Sequence, residues 1–149
     1  RYDDDIVIWA EQQARYLREG RFAKLDLLHL AEEIEDVGKS EQRELANRMA
    51  LLLAHLLKRW LQPERRGASW EVTLRNQRRG IARRLRETPS LRRRLDDDEW
   101  WAGVWDDATA QAAVETGLAD FPDACPWTTE QVLDQTWKPA SSTPSPDAS

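Results

Sequence analysis

The sequence predicts an all-α protein: a single compact helical bundle of about five main helices plus a short C-terminal helix, spanning residues 1–138. Three observations predict it. Apolar residues recur at spacings of three and four, and nowhere do they alternate as a half-buried strand requires. Gly, Pro and the short polar residues fall where helix ends need them. With 149 residues, 40% hydrophobic and 33% charged, the chain is long enough for one domain with a proper core and too short for two ordinary ones.

The first helix starts at the Asp3-Asp4-Asp5 cluster, whose carboxylates suit the positive end of a helix, and stops at Gly20. Its expected inner face is Ile6, Trp9, Gln13 and Tyr16-Leu17. Asp26 caps a second helix with an inward stripe of Leu27, Leu30, Ala31, Ile34 and Val37, ending at Gly38. Ser40 then caps a third, the alternative being one kinked helix through Gly38, since an isolated Gly costs only about 1 kcal/mol. Leu45, Met49, Leu52 and Leu56 make the third helix the centre of the core, widened by Leu53, Leu57 and Trp60, and Pro63 ends it.

Ser69 caps the fourth helix, with Trp70, Leu74, Ile81 and Leu85 inward. Pro89 suits the first position of a fifth helix, lined by Leu91, Leu95, Ala102, Trp105, Ala112 and Ala113 as far as Gly117. An irregular crossing follows over Phe121–Pro126. Thr128 and Gln131 form a capping box for the short last helix, and Trp127 is placed to staple onto Val132. The Pro/Ser/Thr-rich stretch 139–149 is expected to be disordered.

Several function classes drop out. No apolar run approaches the roughly 20 residues of a membrane span. The chain opens Arg-Tyr-Asp-Asp-Asp, with neither an apolar signal region nor an initiator Met, and a few further residues are expected in front. Cys125 is the only cysteine, which leaves no intrachain disulfide and no thiol metal cluster, so a reducing, cytoplasmic location is the default. There is no Gly-rich phosphate loop, no dinucleotide fingerprint and no nucleophile beside a base. No catalytic residue, metal ligand or cofactor is assigned, and no oligomeric state.

Charge is the strongest lead. Thirteen of the 22 Lys and Arg lie between Lys58 and Arg94, against only Glu64, Glu71 and Glu87, so that segment is net +10 in a chain of net −5. On the fourth helix Arg75, Arg79, Arg83 and Arg86 fall opposite the apolar face, a stripe able to bind an acidic protein surface or phosphate oxygens. The plain alternative is a solvated face, with Glu71 and Arg75 as an i,i+4 pair. Arg78 and Arg84 flank the apolar face and suit internal ion pairs; Asp98, expected among Leu91, Leu95 and Ala102, is the natural acid for one of them. Arg92, Arg93 and Arg94 then stand in a helix's first turn, where the dipole disfavours cations. Trp100 projects opposite the fifth helix's inner face and is a candidate contact anchor.

Metal chemistry rests on His29, Glu33 and His55. Di-iron bundles need a Glu-x-x-His order that is absent here, and two His are few for a site of three or four ligands. Glu33 and His55 sit at the edges of apolar faces and could meet as an acid–base pair, which is the remaining enzyme hypothesis.

The order of motifs carries a resemblance. Asp26-Leu27, Leu30-Ala31-Glu32-Glu33-Ile34-Glu35, Gly38-Lys39-Ser40-Glu41, Leu53-Ala54-His55-Leu56-Leu57-Lys58, Gln62-Pro63-Glu64-Arg65, Ser69-Trp70, Gln77-Arg78-Arg79, Pro89-Ser90-Leu91, Glu115-Thr116-Gly117-Leu118 and Phe121-Pro122 through Cys125-Pro126-Trp127 resemble the bacterial family known as domain of unknown function 29. The match runs from Tyr2 to about Pro139. It implies a compact α-helical fold and a bacterial source, and brings no activity, substrate or catalytic residue with it. His29 and Trp100-Trp101 depart from the family pattern. The function expected is therefore an interaction module whose partner is a protein, bound through Arg75, Arg79, Arg83, Arg86 and Trp100, with nucleic acid as the alternative partner of the same stripe.

Overall fold

The computed structural model describes residues 1–62 and 67–140, and among these every regular element is helical. The chain divides into two compact units, Arg1–Glu41 and Gln42–Ser149, within the stretch read from sequence as one helical domain. Pro63 and residues 141–149 of the tail lie outside the described residues.

In the first unit, α1 spans Ile6–Arg18. Asp5 holds extended backbone and its carboxylate accepts the N–H groups of Val7 and Ile8 at 3.1 and 3.2 Å, satisfying two donors that a helix start leaves open. The other end closes in a Schellman motif: Gly20 at φ +71° lets the Arg21 N–H reach the Tyr16 carbonyl at 2.8 Å and its own N–H reach Leu17 at 3.2 Å. A 3-10 turn over Phe22–Lys24 leads to α2, Leu27–Leu61.

At 35 residues, α2 runs straight through Gly38, so Ser40 lies inside a helix and caps nothing. The expected break is absent because Gly38 keeps negative φ and no proline follows within several residues. A Cβ added at Gly38 would meet nothing within 4 Å. Gly38→Ala is therefore expected to stabilise the protein by roughly 0.5–1 kcal/mol, measured as a raised denaturant midpoint; a helix end there would instead make the same change destabilising.

The packed face of α2 in this unit is not the aliphatic stripe. Leu27 (70% exposed), Ile34 (70%) and Val37 (67%) face solvent. Asp26, His29 and Glu33, spaced three and four, take the contacts with Tyr2 and Trp9 instead. The physical reason is that those aromatics carry an O–H and an N–H, which need acceptors once partly covered. Of the inner face expected for α1, Trp9 and Gln13 are buried, while Ile6 and Leu17 are exposed.

The second unit holds the hydrophobic core. Leu45, Met49, Leu52, Leu53, Leu56 and Leu57 from the second half of α2 are fully buried, as the periodicity predicts. They pack with Leu74, Ile81 and Leu85 of α3 (Ala68–Glu87) and with Val104, Trp105, Ala108 and Ala112 of α4 (Asp98–Thr116). Val132 of α5 (Thr129–Leu133) completes the set, behind the Thr128/Gln131 capping box. Gly67, not Ser69, is the N-cap of α3.

The fifth predicted helix is two elements. Pro89–Asp96 is a 3-10 segment, and α4 starts only at Asp98, after Asp97 turns extended and accepts the N–H groups of Glu99 and Trp100. This break resolves the dipole conflict seen in the sequence. Arg93 and Arg94 now close one segment, and Asp98 and Glu99 open the next, each where the local dipole favours its charge. Gly117 ends α4 at φ +75°, as expected.

Candidate functional site

The arginine stripe stands on α3. Its buried residues are Leu74, Arg78, Ile81 and Leu85, and Arg75, Arg79, Arg83 and Arg86 project from exposed positions of the same helix. Arg83 pairs with Glu87 at 3.0 Å, but both side chains are more than 60% exposed, so the pair is worth only about 0.3–0.5 kcal/mol. Among the described residues Arg75, Arg79 and Arg86 have no ion pair. Glu71 does not support Arg75. Lys138 at 2.6 Å and Arg59 at 3.2 Å take it instead, and together they hold its carboxyl below the usual range, Lys138 foremost.

The flanking arginines are spent internally, though not on Asp98. Arg78 is 1% exposed and donates through Nε to the Val132 carbonyl at 2.8 Å. Arg84 pairs with Glu44. Arg94 reaches Asp97 at 3.3 Å and Gln42 at 3.1 Å. Asp98 itself is exposed, because the register that was to bury it belongs to a helix that the chain interrupts. Trp100 moves with the same register change. It is half-buried, packs on the core edge-on to Trp101 at 5.1 Å, and is no free-standing anchor.

Glu33 and His55 belong to different units, and each is satisfied within its own. Glu33 accepts the Tyr2 hydroxyl at 2.6 Å, which pushes the phenol up to about 12. His55 Nδ1 bonds the Leu51 carbonyl at 3.0 Å, one turn back. His29 stacks on Tyr2 at 3.9 Å, and its Nδ1 lies 2.7 Å from Asp26, which also accepts the Trp9 indole N–H at 3.0 Å. Among the described residues no group of three His, Cys, Asp or Glu is placed to hold a metal ion.

The two histidines shift in opposite directions. The hydrogen bond to Asp26 raises His29 above 6.5, whereas burial lowers His55 below it. The His29 contribution to stability is fully present below pH 6.5 and is lost as pH rises through its folded value. The His55 contribution is present above pH 6.5 and is lost as pH falls through its folded value. A proton NMR titration should show two imidazole midpoints on opposite sides of 6.5; two midpoints on the same side would contradict these environments.

Sequence reasoning missed one feature. A cavity of about 390 Å³ lies where α4 meets the crossing before α5, lined among others by Asp98, Trp101, Trp105, Asp123, Cys125 and Trp127. The signal was present as Asp98, Trp101 and Trp105 at spacings of three and four. It was hidden by the expectation that Asp98 met a neighbouring arginine and that Trp105 served only the core.

An all-α protein with an arginine-lined helix face, and no helix among the described residues long and apolar enough to cross a membrane, is the class that fold and site define. The chain belongs to the family described as Domain of unknown function DUF29, whose sequence profile matches residues 1–138. Comparison with curated proteins and with solved structures gives no match.

Proposed function

We propose that this protein is an interaction module that docks an acidic protein surface through Arg75, Arg79, Arg83 and Arg86. The observation that carries the reading is the division of α3: one face is committed to the core, and the other holds four exposed guanidiniums. From Arg75 to Arg86 the stripe covers about 17 Å of helix axis, three turns, which suits a row of carboxylates on another helix. A nucleic-acid duplex is the weaker partner. Four cations on a chain of net −5 give little long-range attraction for a polyanion.

The test is affinity capture from a lysate of the source cells with the intact chain and with an Arg75→Gln/Arg79→Gln/Arg83→Gln/Arg86→Gln chain of matching circular dichroism. A protein retained by the first and lost by the second supports the proposal, and identical captured sets overturn it. A binding constant for nucleic acid that falls with salt at a slope of roughly −0.9 per phosphate contact would transfer the stripe to that partner.

A further inference from the structure

We propose that the cavity between α4 and the crossing before α5 is a binding site for an organic cation, an alkylammonium or guanidinium head carried on an aliphatic stem. It stands independently of the arginine stripe, and different observations carry it.

The first is the nature of the walls. Trp101, Trp105 and Trp127 all line the cavity, and the rings of Trp105 and Trp127 stand at 84° with centroids 5.9 Å apart. Trp105 is buried behind this wall, and Trp101 and Trp127 are partly exposed, so a cation resting against either of those two rings would meet electron-rich surface. Two of the three indole N–H groups are engaged elsewhere. Trp101 donates its indole N–H to the Leu95 carbonyl at 2.7 Å, and Trp105 donates to Pro122 at 2.8 Å. Those two rings therefore have no donor left to offer an anion.

The second is charge. Asp98 and Asp123 are exposed and line the same cavity, and among the described residues no Lys, Arg or His lines it. The N-terminal turns of α4 and α5 border the site and would favour an anion, but side-chain caps take three of their open donors. Asp97 accepts from Glu99 and Trp100, and the Thr128 hydroxyl accepts from Gln131. Among the described residues, the charged groups in the cavity lining are two carboxylates.

The third is size. About 390 Å³ lies in the range of small-molecule pockets and exceeds what a cationic head alone would fill. An aliphatic stem against the remaining apolar wall accounts for the excess. Cys125, whose thiol burial pushes up, contributes an uncharged surface there.

Two sources present this chemistry: a free small cation, and a Lys or Arg side chain of a partner. The experiment follows the tryptophan indole ¹H–¹⁵N signals of the full chain during titration. The probes are choline, its neutral isostere 3,3-dimethylbutan-1-ol, ethylguanidinium, and a Gly-Arg-Gly peptide with blocked termini. The expected result is saturable shifts of the Trp101, Trp105 and Trp127 signals with choline or ethylguanidinium, and binding at least about tenfold weaker for the neutral isostere. Tighter binding of the peptide than of ethylguanidinium assigns the site to a partner's side chain, and the reverse assigns it to a free cation. Either order supports the site. Asp98→Asn/Asp123→Asn, both exposed positions, is expected to weaken choline about tenfold. Equal binding of choline and its isostere overturns the proposal whether or not that variant folds. So does the absence of any saturable shift, or unchanged affinity in the folded double variant.

Discussion

Trp105→Ala is expected to lower the free energy of unfolding by about 3–5 kcal/mol, read as a fall in the urea midpoint at unchanged slope. Trp105 is 2% exposed, and three separate losses coincide at it. Removing the indole leaves a large cavity in the centre of the second unit. It takes away the edge-on contact with Trp127, a ring that also meets Trp60 at 5.6 Å and Trp137 at 5.8 Å. It also leaves the Pro122 carbonyl without the donor that fastens the crossing onto α4. Such a loss is about a fifth or more of the roughly 5–15 kcal/mol that holds a typical domain together. Trp105→Phe separates the terms in part, since it keeps one aromatic ring while losing the donor and some ring volume, and its cost should fall clearly below that of the alanine variant. A cost below about 1 kcal/mol for the alanine variant would mean that Trp105 does not anchor this core.

What the sequence makes legible here is local. Asp5, Gly20, Gly117 and the Thr128/Gln131 box all act within a few residues of themselves, and each does in the structure what its residue type requires. The core stripe of Leu45 to Leu57 is legible for a related reason: it is so apolar that only one orientation on a helix buries it. Where two faces compete, the pattern misleads. Leu27, Ile34 and Val37 form the better aliphatic stripe, yet α2 turns Asp26, His29 and Glu33 toward Tyr2 and Trp9. A helical wheel counts carbon and ignores the hydroxyl and indole N–H that must find acceptors. The break at Asp97 was hidden for another reason. Leu91 and Leu95 fit a helix or a 3-10 segment equally well, and one misplaced start moved both Asp98 and Trp100 to the wrong face.

Charge follows the same logic at larger scale. The basic block between Lys58 and Arg94 reads as one feature in sequence, but folding sorts it. Lys58, Arg59, Arg84 and Arg94 meet Glu115, Glu71, Glu44 and Asp97. The first unit, with six basic and eleven acidic residues, carries net −5, and the second, with sixteen of each, carries none. The exposed guanidiniums of α3 are thus a local excess on a unit that is neutral as a whole. That favours short-range recognition of a few carboxylates over long-range attraction of a polyanion.

Arg78 is the arginine that recognition cannot use, and its replacement gives the second large effect. Arg78→Ala is expected to cost about 3 kcal/mol or more, because it empties a fully covered site and orphans the Val132 carbonyl, which accepts from Nε at 2.8 Å. Arg78→Met keeps the volume of the stem and removes a charge that burial already disfavours, so its expected cost is only about 1–2 kcal/mol. Arg78→Lys retains the charge but replaces a planar fork by a strongly hydrated point charge, and it should be less stable than the methionine variant. Denaturant unfolding of the three variants gives the order Met, Lys, Ala from most to least stable if the buried hydrogen bond to the α5 backbone is what holds Arg78. Lysine above methionine would mean instead that attraction to Asp134, the largest favourable charge acting on Arg78, is what matters. The outcome also bears on the stripe. Arg75 and Arg79 flank Arg78 on α3, and Arg78 shares with Leu74, Ile81 and Leu85 the buried face that leaves the stripe on the exposed one.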